Sequence, residues 1–430
     1  SFHFDLGDIS LQQTKASFRM GKRSIAKSES KGKNTAPDTA QTQQNIRFAL
    51  NSLQLDEVAL KFDDDNSPKQ AYGMDYMHLN AAIPQLTINR FLFNTDTIAG
   101  VIAKASLKEQ SGFQLDQLKT DFLYASNQAY LKDLYLKTPG TEIKRNIAIR
   151  YASLESMVND LGNLQINADL DKSRIQVKDV LTFVPTLRAQ PAFASPNATW
   201  YIDGKINGRI ADLQIEKLQL AGLADTRVDM KGRITGLPDA DKLQANLVIR
   251  QLSSSRRDIL SFLPEDALPS TINLPGSMNL AGTIKGTGSQ MNADLLLKTD
   301  MGNVSVKGTL QDYSNAQHAK YDLVLHASGM DLNAFLKDTS YGPVNLSVTA
   351  RGTGYDMKTA DASVKGLVHS ATYKKYAYKD LTLDAAIANQ VLIAKAEMID
   401  PNIHFAMDAS ANVSRDYPTD EKLELLVESI

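Results

Sequence analysis

The amino-acid sequence predicts an all-β protein, an elongated and curved antiparallel sheet with a few short helices between its repeats. Apolar and polar residues alternate over long stretches, turn residues recur at short intervals, and helical patterns are few. A compact β-domain rarely exceeds about 250 residues, so a chain of 430 residues must hold several domains or one extended array.

The alternation of apolar and polar residues runs from Ile46 onward. Successive side chains of a strand point to opposite faces, so each such strand has one apolar and one polar face, as antiparallel sheets commonly do. We predict that one apolar face is lined by the following residues: Leu164, Ile166, Val228, Met230, Ile234, Val304, Val306, Leu310, Leu323, Leu325, Leu346, Val348, Leu381 and Leu383.

Turns and short helices separate the predicted strands. The turn signals are Asp203-Gly204, Pro275-Gly276 and Tyr341-Gly342-Pro343. The helical patterns are Glu155 to Leu161, Arg257 to Leu263, and Leu332 to Leu336 with Asp331 as its N-cap. Helices this short can punctuate a sheet but cannot cover it.

Two glycine markers recur in the same order, which indicates an internal repeat. The first is a strand that ends in Gly208, Gly286 or Gly352, and the second is a strand that contains Gly232, Gly308 or Gly366. The predicted organisation is an edge strand over 1–20, a disordered loop over 21–45, and β repeats over 46–199, 200–270, 271–340 and 341–430, the last of them truncated.

Composition excludes several classes of function. The 47 basic and 49 acidic residues lack the positive field that nucleic-acid binding needs. The absence of cysteine rules out thiol catalysis, disulfides and thiolate metal sites. No stretch approaches the roughly 20 apolar residues that span a bilayer. The sequence starts without methionine and stops in an apparent strand, so we expect a piece of a longer protein.

Catalytic motifs are also missing from the sequence. The six histidines lack the paired spacing of zinc enzymes, and Gly-x-Ser-x-Gly does not occur. Asp63-Asp64-Asp65-Asn66 carries oxygen ligands, but Pro68 stands where a calcium loop needs glycine, so we interpret this segment as a solvated turn. We therefore predict a protein without catalytic residues, metal or cofactor.

The predicted apolar face must be hidden, because exposed patches beyond a few hundred Å² promote association. A second sheet can cover it, the sheet can curl into a trough, or an apolar ligand can occupy it. The predicted lining is aliphatic with few aromatics, which favours a trough with a ligand. At about 0.8 kcal/mol per methylene, a 16-carbon acyl chain gains roughly 12 kcal/mol there. A rod of β-sandwich domains, as in adhesins, remains open.

Three pieces of the last third carry a resemblance to a known family: Ala327 to Leu336, Gly352-Thr353-Gly354, and Tyr373 to Leu383 leading to Asp400-Pro401-Asn402. They resemble the AsmA-like and TamB family of diderm bacteria, inter-membrane proteins built from repeating β-grooves. The general style of that family extends over Ile46 to Val413.

The resemblance implies a periplasmic β-taco, anchored to the inner membrane by a helix outside this sequence, whose groove carries phospholipid acyl chains toward the outer membrane. It also implies an outer-membrane β-barrel of the Omp85 type as a partner. The expected function is therefore a non-enzymatic lipid bridge. The alternative is an assembly or translocation factor for outer-membrane β-barrels or secreted proteins, and a structural rod is the third reading.

Overall fold

The computed structural model describes residues 2–22, 46–190, 193–223, 225–262, 271–313, 315–413 and 419–428. The predicted all-β fold class is confirmed: strands account for 68% of the model and helices for only 9%, too little to form a covering layer. The chain divides into two compact units, Ser1–Arg209 (unit 1) and Ile210–Ile430 (unit 2), each of which contains a curved, unclosed sheet. The finer division into repeats stays a prediction.

Unit 1 is a meander with a parallel edge. Its strands are β1 (Phe2–Gln12), β2 (Lys15–Met20), β3 (Ile46–Asp64), β4 (His78–Asn94), β5 (Thr97–Glu109), β6 (Gln114–Ala125), β7 (Gln128–Lys137), β8 (Glu142–Arg150), β9 (Gln165–Gln176) and β10 (Thr199–Arg209). From β3 to β10 each strand pairs antiparallel with the next. β1 and β2 run parallel to β3 and pair with its two halves.

The strands of unit 1 bend at β-bulges, where one strand carries an extra residue. Asp133 and Arg145 occupy left-handed backbone conformations at two of these bulges, with φ of 48° and 87°. A bulge leaves ladder groups unpaired, and the fully buried Thr120 compensates, since its hydroxyl donates to the Lys132 carbonyl at 2.9 Å. At the irregularity between β6 and β7, the Thr120 hydroxyl therefore adds a hydrogen bond to the backbone.

One short helix closes a rim of unit 1. Helix α2 (Val177–Phe183) fully buries Val177 and Leu181 against the ends of the strands. Its Asp179 carboxylate accepts hydrogen bonds from the Thr138 hydroxyl at 2.5 Å and the Thr141 hydroxyl at 2.6 Å. The hydroxyls come from the turn after β7, so side-chain contacts distant in sequence hold this helix in place.

Unit 2 is a second meander, antiparallel throughout. Its strands are β11 (Asp212–Leu223), β12 (Thr226–Thr235), β13 (Gln244–Ser255), β14 (Ser277–Thr287), β15 (Gln290–Thr299), β16 (Gly302–Gln311), β17 (Lys320–Asp331), β18 (Tyr341–Thr353), β19 (Asp361–Tyr373), β20 (Tyr376–Ala388), β21 (Val391–Ile399), β22 (His404–Asn412) and β23 (Thr419–Glu428). Most connections are hairpins or short loops, but a short helix (Arg256–Phe262) follows β13 and another (Leu332–Leu336) joins β17 to β18.

Glycines in the middle of strands take conformations that other residues avoid. Gly232, Gly282, Gly286 and Gly308 have φ between 138° and 148°. A Cβ on Gly308 would lie 1.9 Å from the Asp322 carbonyl oxygen of the neighbouring strand. Glycine inside a strand marks a tight bend or a close approach of backbones, and both apply here. Two predicted marker glycines, Gly352 and Gly366, lack a positive φ.

The polar face of unit 2 carries a row of charges of alternating sign. Lys365 pairs with Asp384 at 2.9 Å across β19 and β20, and Lys395 pairs with Asp408 at 3.2 Å across β21 and β22. Asp384 and Lys395 also stand directly opposite each other. These groups are more than half exposed, so each pair contributes at most about 1 kcal/mol.

The predicted helices are confirmed with small shifts of their ends. The structure has α1 (Ser156–Asn159), α3 (Arg256–Phe262) and α4 (Leu332–Leu336), and short 3₁₀ turns at Leu161–Asn163, Pro185–Ala189 and Ala240–Lys242. The Asp331 carboxylate caps α4 by accepting from the Ala334 N–H at 3.2 Å. Helix α2 was not predicted.

Two predicted turns are wrong. Asp203-Gly204 lies inside β10, opposite a point where β9 carries one extra residue, and Tyr341-Gly342-Pro343 begins β18. Pro275-Gly276 does precede a strand, β14. The predicted disordered loop over 21–45 lies outside the described residues, apart from positions 21 and 22.

Candidate functional site

The apolar face of unit 2 forms four unbroken rows across twelve strands, β11 to β22, which we call the apolar strip. Each row follows directly paired residues from strand to strand, and each strand contributes one residue to each row. The strip contains only aliphatic residues, glycine, four methionines, Phe405 and Tyr321. The Tyr321 hydroxyl is its one polar side-chain group, and it donates to the Gly354 carbonyl at 3.2 Å.

The rows are as follows. Row 1 is Leu220, Val228, Leu252, Leu280, Leu297, Val304, Ala327, Leu346, Val368, Leu381, Met398 and Phe405. Row 2 is Leu218, Met230, Ile249, Gly282, Leu295, Val306, Leu325, Val348, Gly366, Leu383, Ala396 and Met407. Row 3 is Ile215, Gly232, Leu247, Ile284, Ala293, Gly308, Leu323, Ala350, Val364, Ala385, Ala394 and Ala409. Row 4 is Leu213, Ile234, Ala245, Gly286, Met291, Leu310, Tyr321, Gly352, Ala362, Ile387, Leu392 and Ala411.

The strip is only partly covered. Seven of its residues are buried, Leu383 is 37% exposed, and all the others are half-buried. A facing sheet would bury nearly all of them, because cores between packed sheets exclude water. The described strands of unit 2 all belong to one sheet, and its described α-helices, α3 and α4, have seven and five residues. Among the described residues of unit 2, no second sheet lies against the strip.

The strip is a large apolar surface. Strands lie about 4.8 Å apart and alternate residues about 6.8 Å apart, so the four rows extend roughly 53 Å by 20 Å. The strip therefore has a footprint of roughly 1,000 Å², of which only part is exposed because most of its residues are half-buried. A surface of this size and uniformity fits hydrocarbon chains, which need contact but no hydrogen bonds.

Tyrosines line the same face beyond row 1, at the strand ends of β18 to β20. Val344 lies two residues from Leu346, and the pairing continues from Val344 to Ala371 and Tyr378. One step farther out, Tyr373 pairs with both Tyr341 and Tyr376. We call Tyr341, Tyr373, Tyr376 and Tyr378 the tyrosine lip.

Contacts within the tyrosine lip fix its rings. The Tyr341 and Tyr373 ring centroids are 5.4 Å apart, and those of Tyr376 and Tyr378 are 4.7 Å apart. The Tyr376 hydroxyl donates to the buried Asp400 carboxylate, which also accepts from the Lys379 N–H at 3.1 Å. The Tyr376 hydroxyl lowers the pKa of Asp400 most, and the backbone N–H groups of Asn402 and Lys379 lower it further.

All twelve residues predicted for unit 2 lie in the strip, the exposed Leu383 included. They are Val228, Met230, Ile234, Val304, Val306, Leu310, Leu323, Leu325, Leu346, Val348, Leu381 and Leu383. The other two belong to unit 1. Ile166 lies in an apolar row of that unit, between Ile149 and Gly208, whereas Leu164 precedes β9 by one residue and is not part of the strand.

One apolar row of unit 1 contains more aromatic residues than any row of the strip. It runs through Phe48, Phe93, Ile98, Tyr124, Ala129, Ile149, Ile166 and Gly208. The expectation of few aromatics therefore holds for unit 2 but is wrong for this row.

The acidic and histidine side chains of the described residues show no metal-binding cluster. No group of three or more His, Asp or Glu side chains is placed to hold a metal ion in that part of the chain. Asp64 instead closes the turn after β3, accepting from the Asn66 N–H at 2.9 Å and the Ser67 hydroxyl at 3.2 Å. The Asn66 N–H bond is the largest of the effects that lower the pKa of Asp64.

One depression in unit 2 has a cavity volume of about 530 Å³ and spans β18 to β22. Its lining mixes apolar-strip residues such as Leu383 with charged residues such as Lys365 and Asp384. Because charged and apolar groups alternate around it, this depression lacks a distinct chemistry of its own.

Comparison with known proteins identifies no relative. No family model, curated protein or solved structure matches the chain. No helix within the described ranges is long and apolar enough to cross a membrane.

The sequence argument missed the tyrosine lip. Its signal is present as Tyr373-Lys374-Lys375-Tyr376-Ala377-Tyr378-Lys379, in which aromatic and basic residues crowd one hairpin. That Tyr341 joins this hairpin follows from the β18–β19 pairing, which the alternation of residues does not specify.

Proposed function

We propose that the protein is a non-enzymatic lipid carrier, in which the apolar strip of unit 2 holds phospholipid acyl chains and lets them move between membranes. The observation that carries the proposal is the continuity of the strip: four rows cross twelve strands without a charged side chain, and no second layer of described residues covers them. We infer further that the protein works in the periplasm of a diderm bacterium, attached to the inner membrane by a segment outside this sequence, as in the AsmA-like and TamB family.

Energetics support an occupant that leaves as readily as it enters. A methylene group gains about 0.8 kcal/mol in an apolar environment, whether that environment is protein or bilayer. A tail therefore changes little in free energy when it passes from a membrane onto the strip. A passive bridge between two membranes needs this near-balance, whereas tight storage would need additional contacts.

A charge placed on the strip tests the proposal. We expect Val306→Asp or Val348→Asp to reduce crosslinking of a photoactivatable phosphatidylethanolamine to the protein at least tenfold, because a carboxylate is costly to leave beside hydrocarbon. Ser305→Asp is the matched control, since it adds the same charge to the neighbouring residue on the opposite face of β16.

The measurement has a clear contrary outcome. The wild-type protein should carry copurifying phospholipid in native mass spectrometry, and the circular dichroism of all variants should remain that of a β-protein. The proposal is abandoned if Val306→Asp crosslinks as well as Ser305→Asp does, or if only Val306→Asp unfolds. Unfolding would instead assign Val306 to a closed protein core.

A second candidate function is assembly of outer-membrane β-barrels or translocation of secreted proteins. The observation that favours it is the edge of unit 1, where β1 and β2 pair only with β3 among the described strands. That edge carries Phe4 and Phe18, which are 49% and 61% exposed. An open edge can accept a further strand through backbone hydrogen bonds.

The two candidates differ in which part of the molecule they need. Proline at Leu6 or Ser17 would block strand addition at the edge without touching the strip. If these variants abolish crosslinking to an unfolded β-barrel segment while lipid crosslinking persists, assembly at the edge is supported. The partner for either role would be an outer-membrane β-barrel of the Omp85 type.

A further inference from the structure

The apolar face of unit 2 changes its chemistry in layers toward the strand ends of β18 to β20. Row 1 is aliphatic there, with Leu346, Val368 and Leu381. The tyrosine lip follows, and Tyr341 and Tyr373 are 38% and 39% exposed. The hairpin tip beyond them is Lys374-Lys375, and both lysines are exposed. The order is thus aliphatic, aromatic with hydroxyl, and cationic.

This order matches the layers of a glycerophospholipid. Acyl chains need aliphatic contact, and the glycerol and ester region favours amphipathic rings such as tyrosine. The phosphate carries negative charge, which attracts nearby lysines. Each layer of the protein therefore lies beside the lipid layer of complementary chemistry when the tails rest on row 1.

The charges at the hairpin tip are available to a ligand. Neither the Lys374 nor the Lys375 ammonium group forms an ion pair with a carboxylate of the described residues. Two acidic residues on the loops beside the hairpin have other hydrogen-bond partners, since Asp400 accepts from the Tyr376 hydroxyl and Asp338 accepts from the Ser340 N–H at 2.9 Å. The tip can therefore attract an anion.

The tip is also held in position. The Lys374 N–H donates to the Ser340 carbonyl at 2.7 Å, which joins the tip to the loop after α4. The Lys374 ammonium lies 5.4 Å from the centroid of the Tyr373 ring, within the range of a cation–π contact. Lys374 is thus held beside the Tyr373 ring of the tyrosine lip, and Lys375 follows it in the same two-residue turn.

We propose that the tyrosine lip and the Lys374-Lys375 tip form a headgroup station, at which the phosphate of a phospholipid binds while its tails lie on the apolar strip. This inference rests on the proposed function and adds a substrate class to it: lipids with an anionic phosphate are retained in preference to uncharged lipids with the same tails.

The backbone of the hairpin suggests a variant that removes the charges without strain. Lys374 and Lys375 have φ of 46° and 69° and form the two-residue turn between β19 and β20. Asn-Gly is the preferred pair for a turn with two positive φ angles. Lys374→Asn with Lys375→Gly therefore removes two charges and keeps or improves the hairpin. Lys231→Gln with Lys285→Gln is the matched control, on the polar face of β12 and β14.

The experiment measures binding of two fluorescent probes with identical acyl chains, phosphatidic acid and diacylglycerol, at low ionic strength. We expect the tip variant to weaken binding of phosphatidic acid about tenfold and to leave binding of diacylglycerol within about twofold. The control variant should change neither. Salt should reduce the preference of the wild-type protein for phosphatidic acid, because exposed charges are screened.

Each contrary result has its own meaning. If diacylglycerol and phosphatidic acid both fail to bind wild-type protein, the proposed function fails. If both bind but the tip variant alters neither, or weakens both equally, the headgroup station is refuted while the strip remains a lipid site. Displacement of phosphatidic acid by millimolar inorganic phosphate would also refute it, because the tip would then be a site for free anions.

Discussion

Unit 1 and unit 2 curve their sheets by different means. In unit 1 several strands bend at bulges with charged residues in left-handed conformations, such as Asp133 and Arg145. In unit 2, where bulges also occur, glycines such as Gly232 and Gly308 bend the strands from within the apolar face. A glycine adds no side chain to that face, so the surface stays smooth. One apolar row of unit 1 has three aromatic rings among eight residues, whereas the strip has two among four rows. A second row of unit 1 is aliphatic and consists of Leu55, Leu86, Ala105, Leu118, Leu136 and Ile143.

This difference has a functional meaning under the proposal. Large aromatic rings make the surface of a row uneven, whereas aliphatic side chains and glycines form a more even surface. Unit 1 also carries α2 and its buried contacts at one rim. Under the proposal, the lipid surface is therefore the strip of unit 2, where four apolar rows run without interruption across twelve strands.

The largest expected effect comes from adding a methyl group to a bending glycine. In Gly308→Ala the new Cβ meets the Asp322 carbonyl oxygen, and a φ of 147° is strained for alanine. We expect a loss of about 3 kcal/mol or more, measured by denaturation and by hydrogen exchange in β16 and β17. Gly366→Ala is the control, because its Cβ would lie 3.5 Å from Val348 Cγ2, an ordinary contact. Equal losses of stability in the two variants would contradict the proposal that glycines with positive φ bend the strands of unit 2.

The next largest effect is the difference in unfolding free energy between truncating a buried leucine and truncating an exposed one. Leu134 in unit 1 is 3% exposed, so Leu134→Ala should cost about 2–4 kcal/mol through a cavity. Leu383→Ala should cost less than about 1 kcal/mol, since much of that side chain already meets water. Hydrogen exchange in β7 and β20 measures the two losses separately. A large loss at Leu383 would indicate that a protein layer covers the strip in solution.

A smaller effect is expected at a bulge of unit 1. Thr120→Val keeps the shape of the side chain but leaves the Lys132 carbonyl without the threonine hydroxyl. We expect a loss of about 1–2 kcal/mol in the unfolding free energy. Thr283→Val, on the exposed polar face of β14, should stay within about 0.5 kcal/mol of the wild-type protein. If the two variants behave alike, hydroxyl compensation is not what maintains the bulge.

Acid should affect both units in the same direction. Hydrogen bonds lower the pKa of Asp400 in unit 2 and of Asp64 in unit 1, so the folded state favours the ionised carboxylates. The two ionised carboxylates stabilise the folded state above the unfolded pKa of about 4, and this stabilisation is lost as the pH falls through the folded pKa. In thermal unfolding, the difference between wild-type protein and Asp400→Asn should therefore shrink below about pH 4. A difference independent of pH would contradict the role of the ionised group.

Much of the sheet was predictable because the alternation of residues reflects burial strand by strand. Val304 to Leu310 and Leu346 to Val348 lie on the predicted face, and α4 begins at the predicted cap. Helix α2 was not predictable in this way, since Val177-Lys178-Asp179-Val180 resembles a strand. Its helical form depends on hydroxyls from the turn after β7.

Conformations at single residues also escaped prediction. Asp203-Gly204 has the composition of a turn, yet it continues β10 opposite a bulge of β9. The marker glycines were recognised as repeats, but nothing in the sequence distinguishes Gly308, which has a positive φ, from Gly366, which does not. Neighbouring strands decide such cases, and a local pattern contains no information about them.

The alternating charges on the polar face bear on how the strands find their partners. A slip of two residues between β20 and β21 would still place apolar groups against apolar groups, so the strip cannot tell the native alignment from the slipped one. The charges can. The slip that sets Asp384 opposite Glu397 in place of Lys395 replaces an attraction by a repulsion. Charged residues that add little to the stability of the folded sheet thus specify the register of the strands, which a uniform apolar surface cannot specify.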